Sequence, residues 1–259
     1  MICLKLAALF SGGKDSTYAI YEAKALGHQI VCLITILPLS EESMLLHFPN
    51  IKLTKLQSKS MNIPQLTIES DSNDPDFEAK TLEHVLNDAK RKYGIEGIVH
   101  GGILSEFQKN FFTRVCSKLA LNIISPLWNK NQKDYMNKLI EARFRFIIVS
   151  VTSSGLDETW LGKEINQSDL LTLEKLASKH GFNLTFEGGE AETLVVDCPL
   201  FTLPLKIGKF RKVWDGYRGR FEILEAKLDQ HAKLRKCCDR VILLGLSKVQ
   251  EFQTKLKSK

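Results

Sequence analysis

Ser11-Gly12-Gly13-Lys14-Asp15-Ser16 is the stretch from which the rest of the chain can be read. A short apolar run, Leu4 to Phe10, leads into it and reads as a buried parallel strand. A helical stretch, Ser16 to Leu26, leads out, with Tyr18, Ala19, Ala23 and Leu26 on one face and Gly27 as its stop. Glycines at such a junction let a ligand approach the backbone with no Cβ in the way. The helix start offers unpaired N–H groups and about half a positive charge. Lys14 adds a full charge, and Ser11 and Ser16 add hydroxyl donors. The sum is an anion cradle sized for a di- or triphosphate. It is not a Walker A loop: Ala8 stands where that motif needs its first glycine, and Asp15 follows the lysine where Ser or Thr is required. The glycine spacing of a Rossmann dinucleotide site is also missing. Asp15 beside a phosphate is repulsive unless it turns away or meets a cation; Mg²⁺ at Asp15 is the expectation. The plain alternative is a tight strand–helix turn with no ligand.

Outward from the loop, the pattern predicts a strand over Ile30 to Leu37, a helix over Ile51 to Met61 and a strand over Gln65 to Ile68. A helix over Asp76 to Tyr93, a strand over Gly97 to His100 and a helix over Ser105 to Leu119 follow. Strand alternating with helix specifies an α/β fold, a parallel sheet with helices on both faces. Right-handed crossovers bring the strand ends, and so the glycine loop, to one ligand-binding edge. Near Leu121 to Pro126 the character changes. The chain is therefore divided into 1–122, a nucleotide-binding domain, 123–228, a smaller α/β or α+β substrate domain, and 229–259, a basic tail. In the second part we expect helices over Tyr135 to Ala142 and Asp169 to His180. Strands are expected over Arg145 to Val151, Thr193 to Val196 and Phe221 to Ala226. In the tail, Val241 to Leu246 reads as strand or helix and Ser247 to Lys259 as a frayed helix.

Hydrophobic residues at 44% and charged residues at 25% fit a soluble globular chain. A net charge of +6 suits an anionic ligand or acidic partner without requiring one. No Cys-x-x-Cys pair occurs, which disfavours structural zinc and thioredoxin-type redox chemistry. Cys3, Cys32, Cys116 and Cys198 lie among apolar neighbours and read as buried. Cys237 and Cys238 read as free thiols. No signal-peptide pattern and no run of bilayer length is present, so a cytoplasmic protein without membrane partners is expected.

Further clusters carry chemistry. Glu187-Gly188-Gly189-Glu190-Ala191-Glu192-Thr193 sets three carboxylates among small residues ahead of an apolar strand. Crowded carboxylates repel unless a cation or donor sits among them, so the cluster suits Mg²⁺, ammonium or general-base work. An exposed acidic turn is the bland reading. Ser153 to Gly162 follows a strand end, and Asp157 there serves equally well as a cap. His47, in the loop after the second strand, is a candidate for the nucleotide site. Trp128, Trp160 and Trp214 read as core.

The loop resembles the PP-loop of ATP pyrophosphatases. The whole pattern is similar to the diphthine–ammonia ligase (diphthamide synthase) family, through about Leu228. The resemblance rests on Ser11 to Ser16, Gly102-Ile103-Leu104-Ser105-Glu106-Phe107-Gln108-Lys109 and Pro126-Leu127-Trp128. It rests equally on Gly155-Leu156-Asp157-Glu158-Thr159-Trp160-Leu161-Gly162 and Glu187 to Thr193. It implies a HUP-like fold of adenine nucleotide alpha hydrolase type, with ATP and Mg²⁺ as cofactors. It implies free ammonia and elongation factor 2 bearing diphthine as partners. Adenylation of the diphthine carboxylate, then attack by ammonia, would give diphthamide, AMP and pyrophosphate. Gly101, Ser105 and Gln108 join Ser11 to Ser16 and His47 as expected nucleotide contacts. Gly155, Leu156, Asp157, Trp160, Glu187, Gly188 and Gly189 are expected at the substrate. Lys14, Asp15, Glu190 and Glu192 are expected to be catalytic, a glutamate taking the proton from ammonia. The chain departs from the family pattern at Gly102, at Phe107 for a usual Tyr, at Phe111-Phe112-Thr113 for an Arg-Val-Glu unit, and at Ala191 for an aromatic. A tRNA-modifying PP-loop enzyme and a non-catalytic ATP-binding module are the rivals. Nucleic acid is not the expected partner, and a homodimer is an allowed assembly.

Overall fold

A computed structural model describes residues 2–38, 50–70 and 74–232. His47, Cys237, Cys238 and the expected elements beyond Arg240 lie outside the described residues. The first half alternates as expected: β1 (Lys5–Leu9), α1 (Lys14–Ala25), β2 (Gln29–Pro38), α2 (Thr54–Met61), β3 (Gln65–Ser70), α3 (Pro75–Tyr93), β4 (Gly97–Val99) and α4 (Glu106–Lys118). The expected helix over Ile51 to Met61 opens with a tighter turn, Ile51–Leu53, before α2 begins. A short strand with no expectation behind it, β5 (Asn122–Ile124), pairs with β4 and completes the sheet. Three residues are too few to show periodicity.

The five strands are parallel in the order β3-β2-β1-β4-β5. The order reverses beside β1, and the crevice there is where open α/β sheets bind ligands. One sheet face is covered by α3 and α4 through Leu82, Leu86, Phe111, Val115 and Cys116. Fully burying Leu82 and Leu86 contributes roughly 1.5–3 kcal/mol each. α3 is bounded by Asp74, whose side chain accepts from Asp76 N, and by Gly94 at φ 62.

The second half holds α5 (Gln132–Glu141), β6 (Arg145–Val151), α6 (Gln167–His180), β7 (Ala191–Asp197), β8 (Leu205–Ile207), β9 (Phe210–Trp214), β10 (Gly219–Ile223) and β11 (Ala226–Leu228). Antiparallel pairing gives a sheet in the order β7-β6-β10-β9, and β11 pairs with β8. The expected strand over Phe221 to Ala226 is thus two strands, broken at exposed Leu224. α6 begins with a reciprocal cap, Asn166 and Asp169 each bonding the other's backbone.

The other face of the parallel sheet packs on this second half. Tyr18 and Tyr21 of α1 meet Phe144 at 5.1 and 5.7 Å between ring centroids, and Tyr135 of α5 lies 5.6 Å from Tyr18. A single buried cluster runs from Leu6 and Val99 to Phe146, Leu194 and Phe201. Two expected core positions are corrected: Leu26 is 43% exposed and Cys3 is exposed, because each lies just outside the element it adjoins, Leu26 after α1 and Cys3 before β1. Cys32, Cys116 and Cys198 are buried, and burial pushes the Cys32 and Cys116 thiols up to about 12. Trp160 is buried; Trp128 is half-buried, with the Lys109 ammonium 4.3 Å from its ring centre.

Candidate active site

β1 delivers the chain over the C-terminal edge of the parallel sheet into the glycine turn. Gly12 sits at φ +81, and a Cβ there would lie 2.3 Å from Gln57 Oε1. Its carbonyl accepts from Val195 N (3.0 Å) and Gln57 Nε2 (2.9 Å). Gln57 Nε2 also donates to Val195 O (2.8 Å), and Lys14 N donates to Thr193 Oγ1 (3.1 Å). The floor of the turn is therefore β7, a strand of the other sheet. Ser11 Oγ lies 3.1 Å from Ser16 Oγ, and Thr17 Oγ1 donates to Gly13 O (2.7 Å). Gly101, after β4, lies flat on the first turn of α1: a Cβ would come 2.5 Å from the Asp15 carbonyl carbon.

Lys14 is buried, and its Nζ donates to Asp15 Oδ1 (3.0 Å), Asp15 Oδ2 (2.9 Å) and Thr185 O (2.5 Å). The buried Tyr135 hydroxyl donates to Asp15 Oδ1 (2.7 Å). Burial first, and then the Asp15 charge, holds that phenol well above its usual range, so it stays a donor. Asp15 thus meets a cation and a hydroxyl inside the protein. Phe186, buried at φ +62, covers Lys14 with its ring centre 5.4 Å from Nζ. A bulky residue in that region costs roughly 1–3 kcal/mol, and the Thr185 carbonyl held by Lys14 keeps it there. Next to it, Glu187 Oε1 accepts from Ile103 N (2.9 Å) and Leu104 N (3.3 Å), tying this strap to the loop before α4.

A cleft of about 790 Å³ opens above these groups. Of the expected residues, Ser11, Gly13, Lys14, Asp15, Ser16, Gly101, Gln108, Glu187, Gly188, Gly189 and Glu192 line it. The rest do not. Gly12 is turned into the floor, and Ser105 caps α4, its hydroxyl accepting from Gln108 N (3.3 Å). Glu190, expected to be catalytic, is placed outside the cleft lining: its Oε1 accepts from Asn183 N (2.8 Å), and its Oε2 is buried without a hydrogen-bond partner among the described residues. The expected substrate segment also lies outside the cleft lining. Gly155 packs on the His180 ring, Leu156 and Trp160 are core, and Asp157 caps a turn by accepting from Thr159 N (2.9 Å).

His100, Phe111, Phe112, Arg218 and Arg220 also line the cleft, with no expectation behind them. His100 directly follows β4 beside the strand-order reversal, a position that the topology rule alone could have flagged. Its Nδ1 accepts from Gly102 N (3.1 Å), so its proton sits on Nε2, 2.6 Å from Ser125 Oγ. Burial lowers its pKa to about 4, and the ring is neutral. Arg218 and Arg220 belong to the β9–β10 hairpin, Asp215-Gly216-Tyr217-Arg218-Gly219-Arg220, whose turn residues were legible. That it overhangs the cleft was not, because no local pattern says where a hairpin points.

A glycine turn ending the central strand of a parallel sheet, at the strand-order reversal and with a lysine at the following helix start, defines a nucleotide-binding α/β protein of the PP-loop class. Within that class the chain belongs to the diphthamide synthase family: the model of the family's N-terminal domain matches residues 4–123 and that of its C-terminal domain residues 131–228. A protein from Bos taurus named diphthine–ammonia ligase is 35% identical, over 76% of this chain and 80% of its own length. The Homo sapiens protein of that name is 34% identical over the same shares. The Schizosaccharomyces pombe protein is 31% identical over 76% of this chain, which spans 35% of that longer relative. A solved chain described as a predicted subunit of tRNA methyltransferase from Methanocaldococcus jannaschii has a TM-score of 0.40 and 19% identity, over 75% of this chain and 97% of that one. That likeness is too slight to add to the fold already described. No helix among the described residues is long and apolar enough to cross a membrane.

Proposed function

We propose that the chain joins ammonia to the carboxylate of diphthine on elongation factor 2 in the cytoplasm, splitting ATP to AMP and pyrophosphate. Family membership supports the activity. The observation that carries it onto this chain is that β7 brings Thr193 under the phosphate loop and Glu192 into the same cleft. Residues 1–122 serve the nucleotide and 123–228 the acceptor, meeting at that strand.

The helix start, Ser11, Ser16 and Lys14 hold the phosphates and offset the charge that develops as the bridge between the α- and β-phosphates breaks. A carboxylate oxygen attacks the α-phosphorus and pyrophosphate leaves. Ammonia then attacks the acyl carbon, AMP leaves, and the proton released from nitrogen passes to Glu192. Glu192 lines the cleft and Glu190 does not, so Glu192 is the better-placed base. Glu190 instead shapes the Glu187–Gly189 strap. Mg²⁺ would travel with the triphosphate, ligated mainly by phosphate oxygens and water, and would neutralise phosphate charge. The chain fits a metal carried by the nucleotide, since no cluster of three or more His, Cys, Asp or Glu among the described residues could hold one. Asp15 would reach such an ion only by loosening its bonds to Lys14 and Tyr135.

The test combines the protein with ATP, Mg²⁺, ammonium and elongation factor 2 bearing diphthine. AMP should appear only when all are present. ADP as the sole product, or ATP binding with no turnover, would remove the proposal. Glu192→Gln should lower turnover at least 100-fold while leaving ATP affinity unchanged; unaltered turnover would exclude it as the base.

A further inference from the structure

The antiparallel sheet turns one register row toward the cleft. Glu192 of β7 lies opposite Ser150 of β6, Ser150 opposite Arg220 of β10, and Arg220 opposite Val213 of β9. All four line the cleft that also holds the phosphate loop. Residues directly opposite in a ladder share a face, so a carboxylate, a buried hydroxyl, a guanidinium and a branched apolar side chain stand side by side. Arg220 and Glu192 are two strand spacings apart, roughly 10 Å, and their long side chains can converge over Ser150.

The hairpin carrying Arg220 is fixed. Asp215 Oδ1 accepts from Tyr217 N (2.9 Å) and Arg218 N (2.7 Å), and Asp215 N donates to Arg218 O (3.0 Å). Asp215, the first residue after β9, also lines the cleft. The far wall is thus a guanidinium, an apolar contact and a carboxylate in sequence. A guanidinium fork matches a carboxylate through two parallel hydrogen bonds. An apolar surface beside a negative charge suits a quaternary ammonium group.

We infer that Arg220, with Ser150 on one side and Val213 and Asp215 on the other, is the subsite for the acceptor's reactive carboxylate and the quaternary ammonium carried on the same carbon. The inference rests on the proposed amidation reaction, in which diphthine is such a betaine. The phosphates have their own cradle on β1 and α1. Arg220 stands two strands from β7, so the acid it holds lies on the Ser150 side of Glu192, within the cleft that the phosphate loop also lines. Arg220 here is a substrate-binding and positioning residue, with the proton left to Glu192.

The test uses the full chain. Arg220→Gln and Arg220→Lys are compared with Arg211→Gln, which removes a cation of the same hairpin that is paired with Glu222 and lies outside the cleft lining. Affinity for a non-hydrolysable α,β-methylene ATP should stay within about 2-fold for all three. For diphthine-bearing elongation factor 2, KM should rise at least 30-fold in Arg220→Gln and less in Arg220→Lys, and Arg211→Gln should match wild type. In parallel, calorimetric titration of the nucleotide-loaded protein with trimethylhomoserine, a free betaine, should show binding in wild type that is lost in Arg220→Gln. Loss of nucleotide affinity equal to the loss of turnover would make Arg220 a phosphate ligand and overturn the subsite. Unchanged KM and unchanged betaine binding would overturn it too. Betaine binding that depends on Arg220 in a protein that never releases AMP would keep the subsite and discard the reaction.

Discussion

Adding one methyl group at Gly101 would set a carbon 2.5 Å from the Asp15 carbonyl carbon and 2.6 Å from Ser16 N, both backbone atoms that cannot swing aside. Gly101→Ala should therefore push the first turn of α1 out of place. Nucleotide affinity should fall at least 10-fold in a titration with the ATP analogue, ahead of any large fall in melting temperature. Lys14→Ala removes the buried ammonium that Asp15, Thr185 O and the cleft share. The expected loss in AMP release is about 10²–10³-fold, the size seen when one donor to a developing charge is deleted. His100 makes the pH dependence. Its pKa is about 4 in the folded chain against about 6.5 when exposed, so below pH 6.5 the unfolded chain binds a proton that the folded one refuses. Stability present above pH 6.5 is lost as pH falls toward 4, by up to about 3 kcal/mol. Urea titrations across that window should show the slope, and His100→Gln should flatten it. At this scale the sequence is informative about the glycine loop, because its chemistry is local. It does not place Glu190 or Gly155 to Trp160 relative to the cleft, because a carboxylate or tryptophan looks the same in one dimension whether it faces ligand or core.

Among the elements, Gln57 of α2 has the most to hold. Buried completely, its amide nitrogen donates both to Gly12 O and to Val195 O, bridging the phosphate turn and β7. Gln57→Leu removes one donor from each carbonyl, while Gly12 O keeps Val195 N, and should cost about 1–2 kcal/mol in denaturant unfolding, with weaker nucleotide binding. A variant as stable as wild type would show the bridge to be idle. Long elements such as α3 were legible end to end, since periodicity, an Asp cap and a terminal glycine agree over several turns. β5 and β8 were not: three-residue strands exist only because a neighbour is there to pair with. β9 was hidden differently, its sequence Phe-Arg-Lys-Val-Trp being mostly exposed and offering no buried stripe.

Across the whole molecule, the parallel and antiparallel sheets share one core. Phe144 stands just before β6, yet its ring packs on Tyr18 and Tyr21 of α1. Phe144→Ala should cost about 3–5 kcal/mol. Because the cavity would sit between the halves, calorimetry should record one transition at lower temperature; two separate transitions would contradict a common core. The α/β class was readable from alternation alone, whereas the dependence of one half on the other was not, because contacts between distant segments leave no periodic trace. That dependence has a practical side. A chimera that transplanted only residues 5–25 into another scaffold would carry the glycines and the lysine but leave behind what they rest on. A working graft would need Gln57 and the strand through Val195 as part of the same cassette.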